Sequence, residues 1–266
     1  MSPDEARRPL ILDVKGVRIG IVNFSEGEDL TSAVTGPGVF GWDVDAVVDS
    51  IRALRSGVDF LLVVCHGGVE YIPFPPPYLA QALRRIAGAG ADLVIGHHAH
   101  VPQGIQILNG VPICYSLGNF VFYQETDLLY RKRGYLVKAG VSQAGLSHLE
   151  VVPYEIGSES LCLLKGAESE RFFASLKTIS LPLAQPDGIT DAWHGFLRYY
   201  GIKGFRNEIS KILAKMDQEP AKGAAMLRNR VATMQHRECI FRGKAATESD
   251  LKAATESRAK RPPNPG

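Results

Sequence analysis

The chain has 266 residues, 45% of them hydrophobic and 22% charged, which is enough apolar material to bury a sizeable core and too much for a disordered chain. Its 30 basic and 28 acidic residues sum to +2, but residues 237–266 hold seven basic against four acidic groups, which leaves −1 on residues 1–236. A body of that charge excludes a nucleic-acid groove, which must neutralise many phosphates.

Residues 17–24, VRIGIVNF, read as a short buried strand after the turn-like VKG, and a Gly-rich, acidic loop then runs to about 41. From Asp43, a good N-cap, Val44, Val47, Val48, Ile51 and Leu54 recur at helical spacing. VDFLLVVCHGG is a continuous apolar run closed by glycines, the pattern of a strand covered on both faces. The prolines of EYIPFPPP keep the next stretch irregular, and Leu79, Ala82, Leu83, Ile86 and Ala87 then mark one face of a second helix. GAGADLVIG closes that helix and begins another short buried strand. Helices and strands alternating with short links predict a parallel α/β arrangement, which places ligands at strand C-terminal ends.

Downstream, GIQILNGVPICYSL holds two β-rich runs around Asn109-Gly110, a strong hairpin signal, and GYLVKAGVSQAGLSHLEVVPYEI repeats the pattern with 143–145 as the turn. Parallel units feeding antiparallel strands predict a mixed sheet or two packed sheets. From about 166 to 236 the chain reads as helical, with Trp193, Phe196, Leu197 and Tyr200 as a packing stripe. Residues 237–266, with KAATES twice and a terminal RPPNPG, read as a solvated tail. No run approaches the roughly 20 apolar residues of a membrane span, and the first ten residues lack the apolar centre of a signal peptide, so the expectation is a soluble chain as written. The four cysteines show no C-x-x-C pair, and Cys65 and Cys114, set in apolar runs, read as buried thiols.

The chemistry concentrates in VIGHHAHVPQG. Three of seven histidines, His97, His98 and His100, follow one inner strand, and His66 ends its neighbour. An isolated loop histidine is ordinarily a hydrogen-bonded surface residue, but three together with a fourth on the adjacent strand end point to metal ligation, which neutral imidazole suits.

The ordered segments HGGVEY at 66–71 and GADLVIGHHAHVPQGIQILNGVPICYSLGNFVF at 90–122 resemble the capsule biosynthesis (CapA, poly-γ-glutamate synthesis) family, whose fold is that of the metallophosphatases, the calcineurin-like phosphoesterases. The resemblance covers about residues 10–155 and implies the C-terminal portion of a layered α/β/β/α fold with mixed sheets, followed by the family's helical extension. It implies metal ligation by His66, His98 and His100, with His97 at a variable position and so a possible ligand or a neighbour. Glu70 and Asn119 match the family's acidic residue and its SLGN asparagine, and both read as groups orienting an imidazole. Gly67 stands where the family usually has Trp, which predicts a looser wall there. The cofactors implied are divalent ions, Mn, Zn, Fe or Ca, and the partners are a capsule polymer or a phosphoester or peptide-like substrate, with other capsule synthesis proteins and no nucleic acid. The family is typically placed at the outer face of the cell membrane.

The Gly-Asp, Asn-Glu and Asn-Asn-His elements that open the family's domain do not occur before His66, and about 65 residues precede it. A pair of divalent ions needs bridging carboxylates to offset their mutual repulsion. The expectation is therefore a chain that by itself binds at most one metal, weakly. It is a metal-dependent hydrolase, phosphoesterase or amide hydrolase, only if those motifs are supplied; otherwise it is a non-catalytic assembly or export component, or an inactive remnant.

Overall fold

The computed structural model describes residues 3–26, 37–200 and 206–232. After a short helix α1 (Pro3–Arg7), a hairpin of β1 (Leu10–Val14) and β2 (Val17–Ser25) leads to α2 (Val44–Arg55), β3 (Phe60–His66), α3 (Pro77–Gly88) and β4 (Leu93–His97). A second hairpin, β5 (Ile105–Leu108) and β6 (Val111–Cys114), completes a six-stranded sheet in the order β1-β2-β3-β4-β6-β5. The inner pairs β2-β3, β3-β4 and β4-β6 are parallel and the two edges antiparallel, so the sheet is mixed and the chain is α/β, as expected.

Both crossover helices form where the apolar period places them. Asp43 caps α2, its Oδ1 accepting from the Ala46 amide at 3.0 Å, and Val47, Val48 and Ile51 are buried beneath it. Pro76 and Pro77 open α3, where a missing N–H costs nothing, and Leu79, Leu83 and Ile86 seal the same core. Arg55, in the last turn of α2, ties the far end of the sheet together. It donates to the carbonyls of Val58, Asp59 and Gly90 and pairs with Asp92 at 2.5 Å, while Asp92 also accepts from the Leu61 amide.

Asn109 and Gly110 both take positive φ, the two-residue turn that matches strand twist, with Leu108 facing Val111 across it. Lys15 and Gly16 form the same turn between β1 and β2. The expected strand at 17–24 thus has an unforeseen partner. Leu10–Val14 is exposed along its length, so it lacks the burial alternation that marks a strand in sequence.

A second sheet of β7 (Arg133–Ser142), β8 (Gly145–Ile156) and β9 (Leu161–Leu163) is antiparallel throughout. Tyr135 on β7 is buried with Cys114 of β6 and with Phe172 and Leu176 of α5 (Gly166–Ser180). Leu183, in the helical turn that follows, enters the main core. One compact unit runs from Met1 to Phe196, and within it α5 supplies apolar cover for the junction between the sheets. Within it Trp193 of α6 (Gly188–Tyr200) is buried, and Cys65 and Cys114 are buried free thiols. The second unit contains α7 (Arg206–Gln218) and α8 (Pro220–Ala232), which pack together where Gly223 meets Met216 with Ile212 buried. The side chain of Tyr200 and the expected tail at 237–266 lie outside the described residues. No described helix is long and apolar enough to cross a membrane.

Gly96 sits one residue before the histidine cluster, and a Cβ there would stand inside the contact distance of the Tyr115 carbonyl from the strand alongside. Overpacking of this kind costs about 1–3 kcal/mol. Gly96→Ala is expected to lower the thermal midpoint by several degrees, measured by calorimetry, whereas Gly88→Ala, in open space on α3, leaves it unchanged or raises it.

Candidate functional site

Parallel register brings the site into being. Ser25, His66 and His97 stand level at the C-terminal ends of β2, β3 and β4. Beyond them the backbone turns sharply: His98 has φ 118° and His100 φ 58°, and Tyr71, on the loop after β3, has φ 62°. Bulky residues rarely adopt this region, and three of them at one edge mark a place where side-chain position overrides backbone ease. The two loops are tied by hydrogen bonds from the Gly67 amide to the His97 carbonyl (2.9 Å) and from the Tyr71 amide to the Ala99 carbonyl (2.7 Å).

The structure brings all four histidines together. His66 Nε2 and His98 Nδ1 are 3.2 Å apart, the His66 and His97 rings stack at 5.7 Å, and the His98 and His100 rings lie 5.9 Å apart. Burial first, and then repulsion from His66, His100 and His97, push His98 down from the ordinary 6.5 to about 4. His97 is lowered for the same reasons, chiefly burial, partly offset by a hydrogen bond to the Gly118 backbone. Burial thus favours the neutral imidazole at His97 and His98.

Asn119 and Glu70 sit on opposite nitrogens of His100. The buried Asn119 places its Oδ1 2.7 Å from His100 Nδ1 and points its amide nitrogen at the Arg131 carbonyl, 3.4 Å away. Because Oδ1 only accepts, His100 Nδ1 carries a proton, and in the neutral ring the lone pair is then on Nε2. Glu70 Oε1 lies 3.8 Å from Nε2 of the same ring.

Two groups at this edge escaped the sequence reading. Glu26, one residue past β2, accepts from the Gly68 amide (2.8 Å) and the Tyr78 hydroxyl (2.7 Å), and its Cβ would lie 2.8 Å from any Cβ on Gly67. Gly67 thus leaves room that Glu26 fills, in place of the looser wall expected. Tyr71 stacks on His100 at 5.7 Å, with Phe122 at 5.8 Å from the same ring. Neither residue has a distinctive spacing, because both arrive from loops.

The donor spacing bears on a divalent ion. Two nitrogens bound to one ion at about 2.0–2.1 Å stand roughly 3.0–3.4 Å apart, and the His66–His98 pair is 3.2 Å apart, with one ring carrying the shared proton that an ion would replace. His100 Nε2 with Glu70 offers a second pair. Among the described residues no three His, Cys, Asp or Glu side chains converge on one point as a complete metal cage. The fit is that of two partial donor sets.

Residues 1–124 match the profile of the bacterial capsule synthesis protein family PGA_cap. The chain is also 34% identical over 145 residues to the PGA biosynthesis protein CapA of Bacillus subtilis, covering 54% of this chain and 38% of that one. Over this stretch the chain is similar to the bacterial capsule synthesis family. A second relative, the capsule biosynthesis protein CapA of Bacillus anthracis, is 31% identical over 150 residues, covering 54% of this chain and 36% of that one. The chain therefore spans well under half the length of these relatives. Outside the family, a 5'-nucleotidase of Diplobatis ommata is 30% identical over 121 residues, covering 44% of this chain and 19% of that one.

The depressed His98 carries a consequence for stability. Its folded value lies below the unfolded one, so the unfolded chain takes up the proton first. The stability held above about pH 6.5 is expected to fall as pH drops towards 4, by about 3 kcal/mol from this residue. Denaturant unfolding at several pH values checks this, and His98→Asn is expected to flatten the slope.

Proposed function

We propose that the histidine edge is part of a divalent-metal site serving hydrolysis or group transfer during synthesis of a poly-γ-glutamate capsule. The observation that carries this reading is the 3.2 Å approach of His66 Nε2 to His98 Nδ1 beside a His100 whose tautomer Asn119 sets. A bound ion would supply Lewis acidity and a water acidified to near neutral pH. The residues of this chain do the holding. His66 and His98 present lone pairs, burial keeps His98 neutral, Asn119 holds the His100 proton on Nδ1, and Glu70 adds a carboxylate at Nε2. The likeness to a 5'-nucleotidase supports a phosphoester as the bond acted on, and the names of the Bacillus relatives support the capsule setting.

A second reading, a non-catalytic component of capsule assembly, is favoured by one observation: among the described residues the donors form two partial sets and no complete cage.

Titration of the metal-free chain with zinc or manganese, followed by calorimetry, tests the proposal. One weak site is expected, and His98→Ala is expected to weaken it by about tenfold or more, or about 1.4 kcal/mol. Unchanged metal affinity in His98→Ala would remove His98 from the ligand set, and two tight sites in the unaltered chain would overturn the half-site reading. Turnover of a simple phosphoester by the metal-loaded chain separates the catalytic from the non-catalytic reading.

A further inference from the structure

Three cations follow one another after the aromatic loop, and the fold treats them differently. Arg133, at the start of β7, is saturated, its Nε donating to Glu155 at 2.8 Å and its NH2 to Glu168 at 2.7 Å. Lys132 lies over the Tyr123 ring at 5.6 Å. Arg131, in the short helix α4 (Leu129–Lys132), has no carboxylate partner among the described residues, and its Nε is buried with no hydrogen-bond acceptor. A guanidinium N–H taken out of water and left unmade is expensive, and a native structure that keeps one has a use for it.

The position of Arg131 shows the use. Its guanidinium lies over the Tyr71 ring at 4.1 Å, and Tyr71 stacks in turn on His100. Its backbone carbonyl receives the Asn119 amide that sets the His100 tautomer. Arg131 is thus fastened to the histidine edge by its ring contact and by its own backbone. Gln124 holds the Tyr71 hydroxyl at 3.0 Å from its Nε2, so the platform under the guanidinium is itself fixed. Stacking occupies the flat face of a guanidinium, and the pair of terminal nitrogens at its end matches the paired oxygens of a phosphate or carboxylate.

We propose that Arg131 is the oxyanion-binding residue of the histidine site, receiving a phosphoryl or carboxylate group of the ligand; the proposal rests on the reading of that edge as ligand-facing. Arg131 binds and positions, and makes no contact assigned to bond breaking.

The test is calorimetric titration of the full chain, in EDTA, with inorganic phosphate and separately with a γ-linked glutamate trimer. Arg131→Gln is expected to weaken binding of at least one probe by about tenfold or more, and Arg131→Lys, which keeps the charge without the fork, is expected to fall between. Loss for phosphate assigns a phosphoryl group and loss for the trimer assigns a carboxylate. Affinities within twofold of the unaltered chain for both probes, or no binding of either by the unaltered chain, overturn the proposal. Zinc titration of the same variants separates this from the metal reading. Arg131→Gln that keeps zinc affinity and loses the anion supports the assignment, whereas loss of zinc and anion together overturns it, because it marks collapse of the Asn119 loop. An unaltered chain that holds the anion and binds no zinc removes the metal reading and leaves Arg131 in its role.

Discussion

Parallel pairing of β2, β3 and β4, in a register that sets Ser25, His66 and His97 level, is the constraint on which the rest of this protein depends. A one-residue slip would turn His66 and His97 to opposite faces of the sheet and break the contact between their loops, since side chains alternate along a strand. The register is held from both ends. At the N-terminal ends of β3 and β4, Arg55 and Asp92 gather backbone groups from both strands. At the C-terminal ends, close approach of Tyr115 to Gly96 keeps β4 and β6 in contact immediately before the cluster.

The site is therefore a product of stiffness below it and strain above it. Residues that would relax out of left-handed backbone in a free peptide, His98, His100 and Tyr71, are held there by hydrogen bonds between the two loops. What this yields chemically is a group of four close imidazoles, two of which, His97 and His98, burial disfavours as cations, and one of which, His100, is met at Nδ1 by an asparagine. On the proposed reading such a set would take a cation, while the stacked Arg131 beside it would take an anion. The two demands are compatible, because a substrate oxyanion is what a metal-assisted transfer to or from oxygen brings to the site.

Much of this was legible in the sequence because it depends on local pattern. The helical period after Asp43, the apolar run ending in His66, and Asn109-Gly110 each report a backbone preference that neighbours do not override, and each appears where the pattern places it. The grouping of His66 with His97, His98 and His100 was legible through topology, since parallel α/β strands send their C-terminal ends to one edge. Less legible were the features that depend on distance. β1 is exposed on both faces and shows no alternation. Glu26 and Tyr71 come from loops whose paths only packing sets. The side of His100 that Glu70 faces follows from the left-handed turn at His100, and no spacing announces it.

By itself the sequence determined which segments are strands and helices in the parallel half, which strand ends carry imidazole, and which family the chain resembles, because periodicity and motif order are local properties of the chain. Only the tertiary structure decided that α5 closes the junction between the two sheets, that Glu26 fills the space beside Gly67, and that Arg131 stands over Tyr71 with its Nε buried and unsatisfied among the described residues. The physical reason is common to all three. Each is a contact between residues far apart in the chain, or between loops that have no repeat of their own, and such contacts exist only once the sheet has brought their backbones together.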